Sequence, residues 1–209
     1  MLCCTALAFL MLTVRAESQE SKNEIAGTFG RTFISNQSVL NSGIADPRLT
    51  HAPGWTFEGN YARVLREWDW ADVAAEIPVV FSPDEDLVYE GNQVPEGYGS
   101  IFVTPAVRLR LIPELAFSPW VSFGGGFAHF AATSDLLFFG KNTGNRSLTT
   151  GALQMGAGID VRLPCRKLPR LRVRAQVRDE WSGIPPINVD VGKTHQHNYY
   201  VAGGIVYKF

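Results

Sequence analysis

Residues 169–181 read PRLRVRAQVRDEW, with Arg170, Arg172, Arg174, Gln176, Arg178 and Glu180 on one parity and Leu171, Val173, Ala175 and Val177 on the other. Successive side chains of a strand point to opposite faces, so this period of two predicts a strand with one charged and one apolar face. The same alternation sets Ala71, Val73, Ala75, Ile77, Val79 and Phe81 against Asp72, Ala74, Glu76, Pro78 and Val80. It sets Ile101, Val103, Val107, Leu109 and Leu111 against Phe102, Thr104, Ala106, Arg108 and Arg110. It sets Leu153, Met155, Ala157, Ile159 and Val161 against Gln154, Gly156, Gly158, Asp160 and Arg162. Residues 197–209, HNYYVAGGIVYKF, give a last strand with Tyr199, Val201, Ile205, Tyr207 and Phe209 on its apolar face.

In all, the pattern predicts eight strands, over 24–35, 54–66, 69–81, 99–112, 118–132, 148–163, 169–181 and 197–209. No helical period competes. The first, second and fifth are less regular, and a bulge near Tyr61 accounts for the phase slip in the second. Pro78 and Pro105 each remove a ladder donor, which predicts bulges or rim positions there. The connections alternate in length. Long ones cover 37–53, 82–98, 133–147 and 182–196, and short ones 67–68, 113–117 and 164–168.

Two architectures alternate in this way. A soluble barrel or sandwich turns its apolar parity inward, whereas a membrane barrel turns it to lipid and lines its lumen with the polar parity. Long and short connections in alternation, the wiring of barrels with short periplasmic turns, favour the second. So do Trp55, Trp68, Trp70, Trp120, Trp181, Tyr199 and Tyr207, which gather near predicted strand ends, where amphipathic rings meet headgroups. An even strand number puts both termini on the short-turn side, with Phe209 at the periplasmic rim.

The 209 residues, 45% hydrophobic and with 20 Gly and 12 Pro, suit one folded domain. A net charge of −1 gives no footprint for nucleic acid. Residues 1–16, MLCCTALAFLMLTVRA, form an apolar run closed by Val14, Arg15 and Ala16, which predicts a secretory leader, with a barrel domain over 17–209. Cys3 and Cys4 leave with that leader, so Cys165 has no intramolecular partner. Beyond Ala16 no stretch reaches the apolar length of a membrane helix.

NYARVL, EIPVVFSP, FVTPAVRLRL, SPWVSFGGGFAHF, QMGAGIDVRL, VRDEWSG and HNYYVAGGIVYKF together resemble the small bacterial outer-membrane barrels of the OmpA/OmpX-like superfamily, over residues 24–209. The resemblance implies an eight-stranded antiparallel up-and-down transmembrane β-barrel in the outer membrane, in contact with its lipid. It further implies that Ile205, Tyr207 and Phe209 form the signal read by the barrel-assembly machinery. The shared motifs are architectural and carry no activity.

If the polar parities line the lumen, they bring Asp72, Glu76, Arg108, Arg110, Asp160, Arg162, Arg172, Arg174 and Arg178 together, with Glu58 beside them. Charges in so narrow an interior must pair or stay hydrated, and a salt-bridged plug is favoured over an ion pathway. His195 and His197 share a strand face but lack further ligands to complete a metal shell. His129 and Ser134 suggest a hydrolytic pair by analogy with barrel lipid deacylases, but Ala131 stands where the serine of such a pair belongs. Gly124, Gly125 and Gly126 open no helix, so they cradle no phosphate and instead allow curvature. No cofactor is expected. The reading is a non-enzymatic envelope protein whose loops, at 36–53, 84–98, 135–146 and 183–195, are the candidate contact surface for an unidentified ligand. A narrow pore for small or hydrophobic solutes and a lipid-modifying enzyme stay open beside it.

Overall fold

A computed structural model describes residues 22–113, 115–163 and 170–209; the expected leader and all three cysteines lie outside them. The strands, in chain order, are β1 (Asn23–Ile34), β2 (Gln37–Ser38), β3 (Arg48–His51), β4 (Gly54–Trp68), β5 (Ala71–Val88), β6 (Gly97–Val103), β7 (Ala106–Leu111), β8 (Phe117–Ala132), β9 (Ser147–Arg162), β10 (Leu171–Gly183) and β11 (His195–Lys208). All their pairings are antiparallel. β6 and β7 both lie between β5 and β8 and act as one wall strand in two pieces. β1 pairs with β4 on one side and β11 on the other, which closes an eight-stranded barrel. Closure leaves the wall no free sheet edge. β2 and β3 form a small outlying ladder on the end of β5.

The facing decides between the two architectures. On β10 the guanidinium residues Arg174 and Arg178 are 1% and 0% exposed, whereas Val173 and Val177 are 40% and 44% exposed. Ile25, Phe29, Phe57, Ile77, Phe81, Val121, Phe123, Met155, Val201 and Ile205 are likewise outside. The greasy parity faces out all the way round, the polarity of a membrane-spanning barrel.

Where the strands depart from expectation, the cause is local pairing. The bulge in β4 falls at Leu65, between Val64 and Arg66, and not near Tyr61. The first short turn is Asp69–Trp70, because β4 runs on to Trp68. β5 continues to Val88, well past the expected end at 81, because Glu85 and Asp86 pair with β6 and Val88 with Thr50 of β3. Pro78 and Pro105 meet in one irregularity. β5 pairs with β7 up to Glu76 and with β6 from Val79, so Pro78 stands opposite the break at 104–105. Gly124 and Gly126 pass close to that break: a Cβ on Gly124 would lie 2.3 Å from the Pro105 carbonyl oxygen, and one on Gly126 2.0 Å from that of Val103. Only a residue without a side chain allows the backbones this near.

Candidate functional site

The barrel interior has two storeys. Towards the short turns lies a charged network. Asp160 accepts from Arg174 Nε at 2.7 Å and Nη2 at 2.9 Å, and from Trp120 Nε1 at 3.2 Å. Arg110 donates through Nε to Asp72 at 2.9 Å and through Nη1 to Glu24 at 2.5 Å. Glu24 also pairs with Arg108 and, at 3.2 Å, with Lys208. Arg178 reaches Glu76 at 3.0 Å and Glu58 at 3.2 Å, while Asn60 Nδ2 donates to Glu76 at 3.0 Å. A buried charge is tolerable only when counter-ions surround it, as they do here, although Arg108 Nε, Arg174 Nη1 and Asp72 Oδ1 have no hydrogen-bond partner among the described residues.

Of the residues expected in the lumen, Asp72, Glu76, Arg108, Arg110, Asp160, Arg174 and Arg178 come together in this network. Arg172 is buried but binds neutral groups, donating to the Pro113 carbonyl at 2.9 Å and to Ser118 Oγ at 3.3 Å. Arg162 is half-buried at the rim, opposite Arg172 in register, and has no ion pair among the described residues. Trp120 corrects an expectation. It is 2% exposed and sits inside, not in an interfacial belt, with the guanidinium of Arg174 at 4.9 Å and that of Arg178 at 5.3 Å from its ring centre. An indole among guanidinium groups offers a ring face and an N–H, both used here. Its parity with Ser118 and Ser122 was the available signal. Glu24 and Lys208, at the two ends of the chain's barrel, were missed. Lys208 shares the inward parity of Asn198 and Tyr200, whereas Glu24 opens a strand of irregular pattern.

Towards the long connections the interior turns apolar. Val80, Phe102, Ala128, Phe130 and Ala202 from the wall meet Val39, Leu49, Tyr89, Val94, Ile187 and Val191 from the loops. Tyr98 and Phe102 both pack edge-on against Phe130, at 5.8 Å and 5.7 Å. The loops tie to one another: Leu40 N donates to Asp190 O at 2.8 Å, Asn188 Nδ2 to Asn142 Oδ1 at 2.9 Å, and Gln37 Nε2 to Gln196 Oε1 at 3.0 Å. They form a roof over the barrel mouth.

Two titratable groups sit in this roof. Glu85 is buried on the part of β5 flanked by the exposed Asp84 and Asp86, beyond the apolar outer band, and accepts from Ser100 Oγ at 3.2 Å. Burial pushes its carboxyl up to about 7. His51 packs edge-on against Tyr98 at 6.3 Å with neither ring nitrogen partnered among the described residues, and burial lowers it to about 4.

The other histidines lie outside, near the loops. His197 Nδ1 bonds Asp179 Oδ2 at 2.7 Å, His195 stacks on Trp181 at 4.7 Å, and His129 Nδ1 bonds Thr149 Oγ1 at 2.8 Å. Ser134 Oγ accepts from Gly97 N and donates to Asp135 O, so His129 and Ser134 have different partners. Among the described residues no His, Cys, Asp and Glu cluster fits a metal. At the opposite rim, Phe209 and Asn23 exchange backbone hydrogen bonds at 2.8 Å and 3.1 Å, and Phe209 stacks with Tyr207 at 6.3 Å. Ile205 faces outward in the same strand, 58% exposed.

No protein-family model matches the sequence, and no curated protein is significantly similar to it. Solved structures are similar in fold. Neisserial surface protein A is 12% identical with a TM-score of 0.56, covering 90% of this chain and 98% of its own. The outer-membrane protein OprG of Pseudomonas aeruginosa is 16% identical with a TM-score of 0.55, covering 90% and 95%. With its inverted polarity, its alternating short turns and long loops, and these likenesses, the chain has the fold of the eight-stranded outer-membrane β-barrels.

Proposed function

We propose that this chain, after loss of residues 1–16, is an integral outer-membrane protein that acts without catalysis, lending rigidity to the envelope and presenting its loops for binding. One observation carries the reading: the interior is filled twice over, by an ion-paired network at one end and by the loop roof at the other. Filling on that scale suits a scaffold and leaves variation to the loops, at 35–53, 89–96, 133–146 and 184–194. Ile205 and the stacked pair of Tyr207 and Phe209, at and just past the end of β11, are the contact offered to the barrel-assembly machinery.

Expression with membrane fractionation tests the proposal. The folded protein should sediment with the outer membrane and shift its gel mobility on heating; a soluble product that ignores heating would end it. In planar bilayers the reconstituted barrel should give no stepwise conductance, and steady unit steps would favour the narrow-pore reading instead. Deleting Phe209 should lower the yield of heat-shifting protein in cells while leaving refolding in detergent intact.

A further inference from the structure

The outward wall across β8, β9, β10 and β11 has a hollow. In register, Gly125 stands beside Leu153, Leu153 beside Trp181 and Trp181 beside His197. The next row towards the loops puts Phe127 beside Gly151 and, two strands on, Gly183 beside His195. Where Gly125 and Gly151 withhold side chains, the rows border an open depression of about 460 Å³, lined by those glycines with Leu153, Trp181 and His195. Gly151 has no packing reason to be glycine. A Cβ there would meet nothing within 4 Å and its φ is not left-handed, unlike the crowded Gly124 and Gly126. What the missing side chain does is keep the hollow open.

The chemistry of the lining is graded. Leu153, Met155 and Phe123 bound the short-turn side with exposed apolar surface. On the loop side His195, stacked on Trp181, lines the hollow itself, while His129 on Thr149 and His197 on Asp179 stand outside its lining. His195 Nδ1 is also engaged, by Thr194 Oγ1 at 2.8 Å, so in all three rings the described hydrogen bonds use Nδ1 and leave Nε2 for an outside partner. An apolar floor ending in the hydrogen-bonding ring of His195, continuous with the greasy band of the wall, matches an amphiphile held parallel to the strands. We infer that this hollow is a lipid-binding site: one acyl chain of a membrane phospholipid lies over Gly125 and Gly151 against Trp181, with its phosphate at His195. The inference rests on the proposed membrane insertion of the barrel.

Trp181 is a built-in reporter. The protein is reconstituted into phosphatidylcholine vesicles containing increasing fractions of phosphatidylglycerol brominated on its acyl chains, and the Trp181 signal is taken as the difference from Trp181→Phe. A specific site makes quenching saturate at a mole fraction about tenfold below that for random contact, a preference of about 1.4 kcal/mol. Quenching that rises in proportion to brominated lipid in the parent protein overturns the inference without any variant being needed. Gly151→Leu should convert the saturating curve to a proportional one. Gly59→Leu, at another outward glycine with open space around it, should keep saturation; loss in both, or in neither, also overturns the site. Failure to float with vesicles or to shift on heating would instead sink the membrane proposal beneath it.

Discussion

Asp160 accepts from Nε and Nη2 of one guanidinium and from an indole, with Arg110 Nη1 at 3.8 Å. Asp160→Ala would strand Arg174 and the Trp120 N–H in a closed interior, at a cost of about 3–5 kcal/mol. The check is a fall in the urea midpoint of the vesicle-bound barrel, and Asp160→Asn should lie between. Glu85 and His51 make a second prediction, because their shifts oppose one another. Glu85 is raised to about 7, so its contribution is complete below the unfolded value near 4.5 and fades as pH rises through 7. His51 is lowered to about 4, so its contribution is complete above 6.5 and fades as pH falls through 4. The two trends largely offset between pH 4 and 7, and loop protection should vary little with pH in the parent. Glu85→Gln should expose the acid-side loss, and His51→Phe the loss as pH is raised. Amide exchange in residues 89–96 would register each; identical profiles in all three proteins would refute the assignment. The parities of Asp160, Arg174 and Arg178 were readable in the alternation, whereas the shifts of Glu85 and His51 were not, since they arise from loops folding over them.

Among the elements, the seam of Pro78, Pro105 and Gly124–Gly126 shows how local chemistry and distant pairing share the work. The prolines announced an interrupted ladder. That they interrupt it at one place, and that the glycine run lies against the same break, follows from a register joining strands far apart in sequence. Gly126→Ala would place a Cβ 2.0 Å from a backbone carbonyl, so the seam must move. It should leave only a minority of refolded protein heat-modifiable, while Gly151→Ala, with open space around it, should refold like the parent. The same argument explains the length of β5. Ser82–Pro83–Asp84–Glu85–Asp86 has poor strand propensity and reads as loop, but its backbone finds partners on β6. Tertiary pairing outweighs local preference there. The bulge at Leu65 was misplaced for a related reason: alternation reveals that phase is lost, not at which residue the partner strand skips.

For the barrel entire, closure and polarity have separate consequences. Closure gives a wall without edges, so folding should be cooperative in lipid. Deleting β1 through residue 34 should leave no heat-shifted species at all, because β4 and β11 would each lose one of two partners and become free edges. Polarity sets the environment. Outward Phe57, Ile77, Val121 and Ile205 would be a liability in water and are at ease in hydrocarbon.

The period of two, the alternation of short and long connections and the terminal aromatics are local properties, set by backbone geometry and turn chemistry, and they specified eight strands and their order, though not where β5 ends. Which parity faces in is not local. An alternating strand fits either architecture, and only closure of β1 on β11 put the arginines on the inside. The same closure drew Trp120 inward among guanidinium groups, brought Glu24 and Lys208 from opposite ends of the chain to one cluster, and folded the loops over Glu85 and His51. Those contacts join residues far apart along the chain, where alternation carries no information about distance.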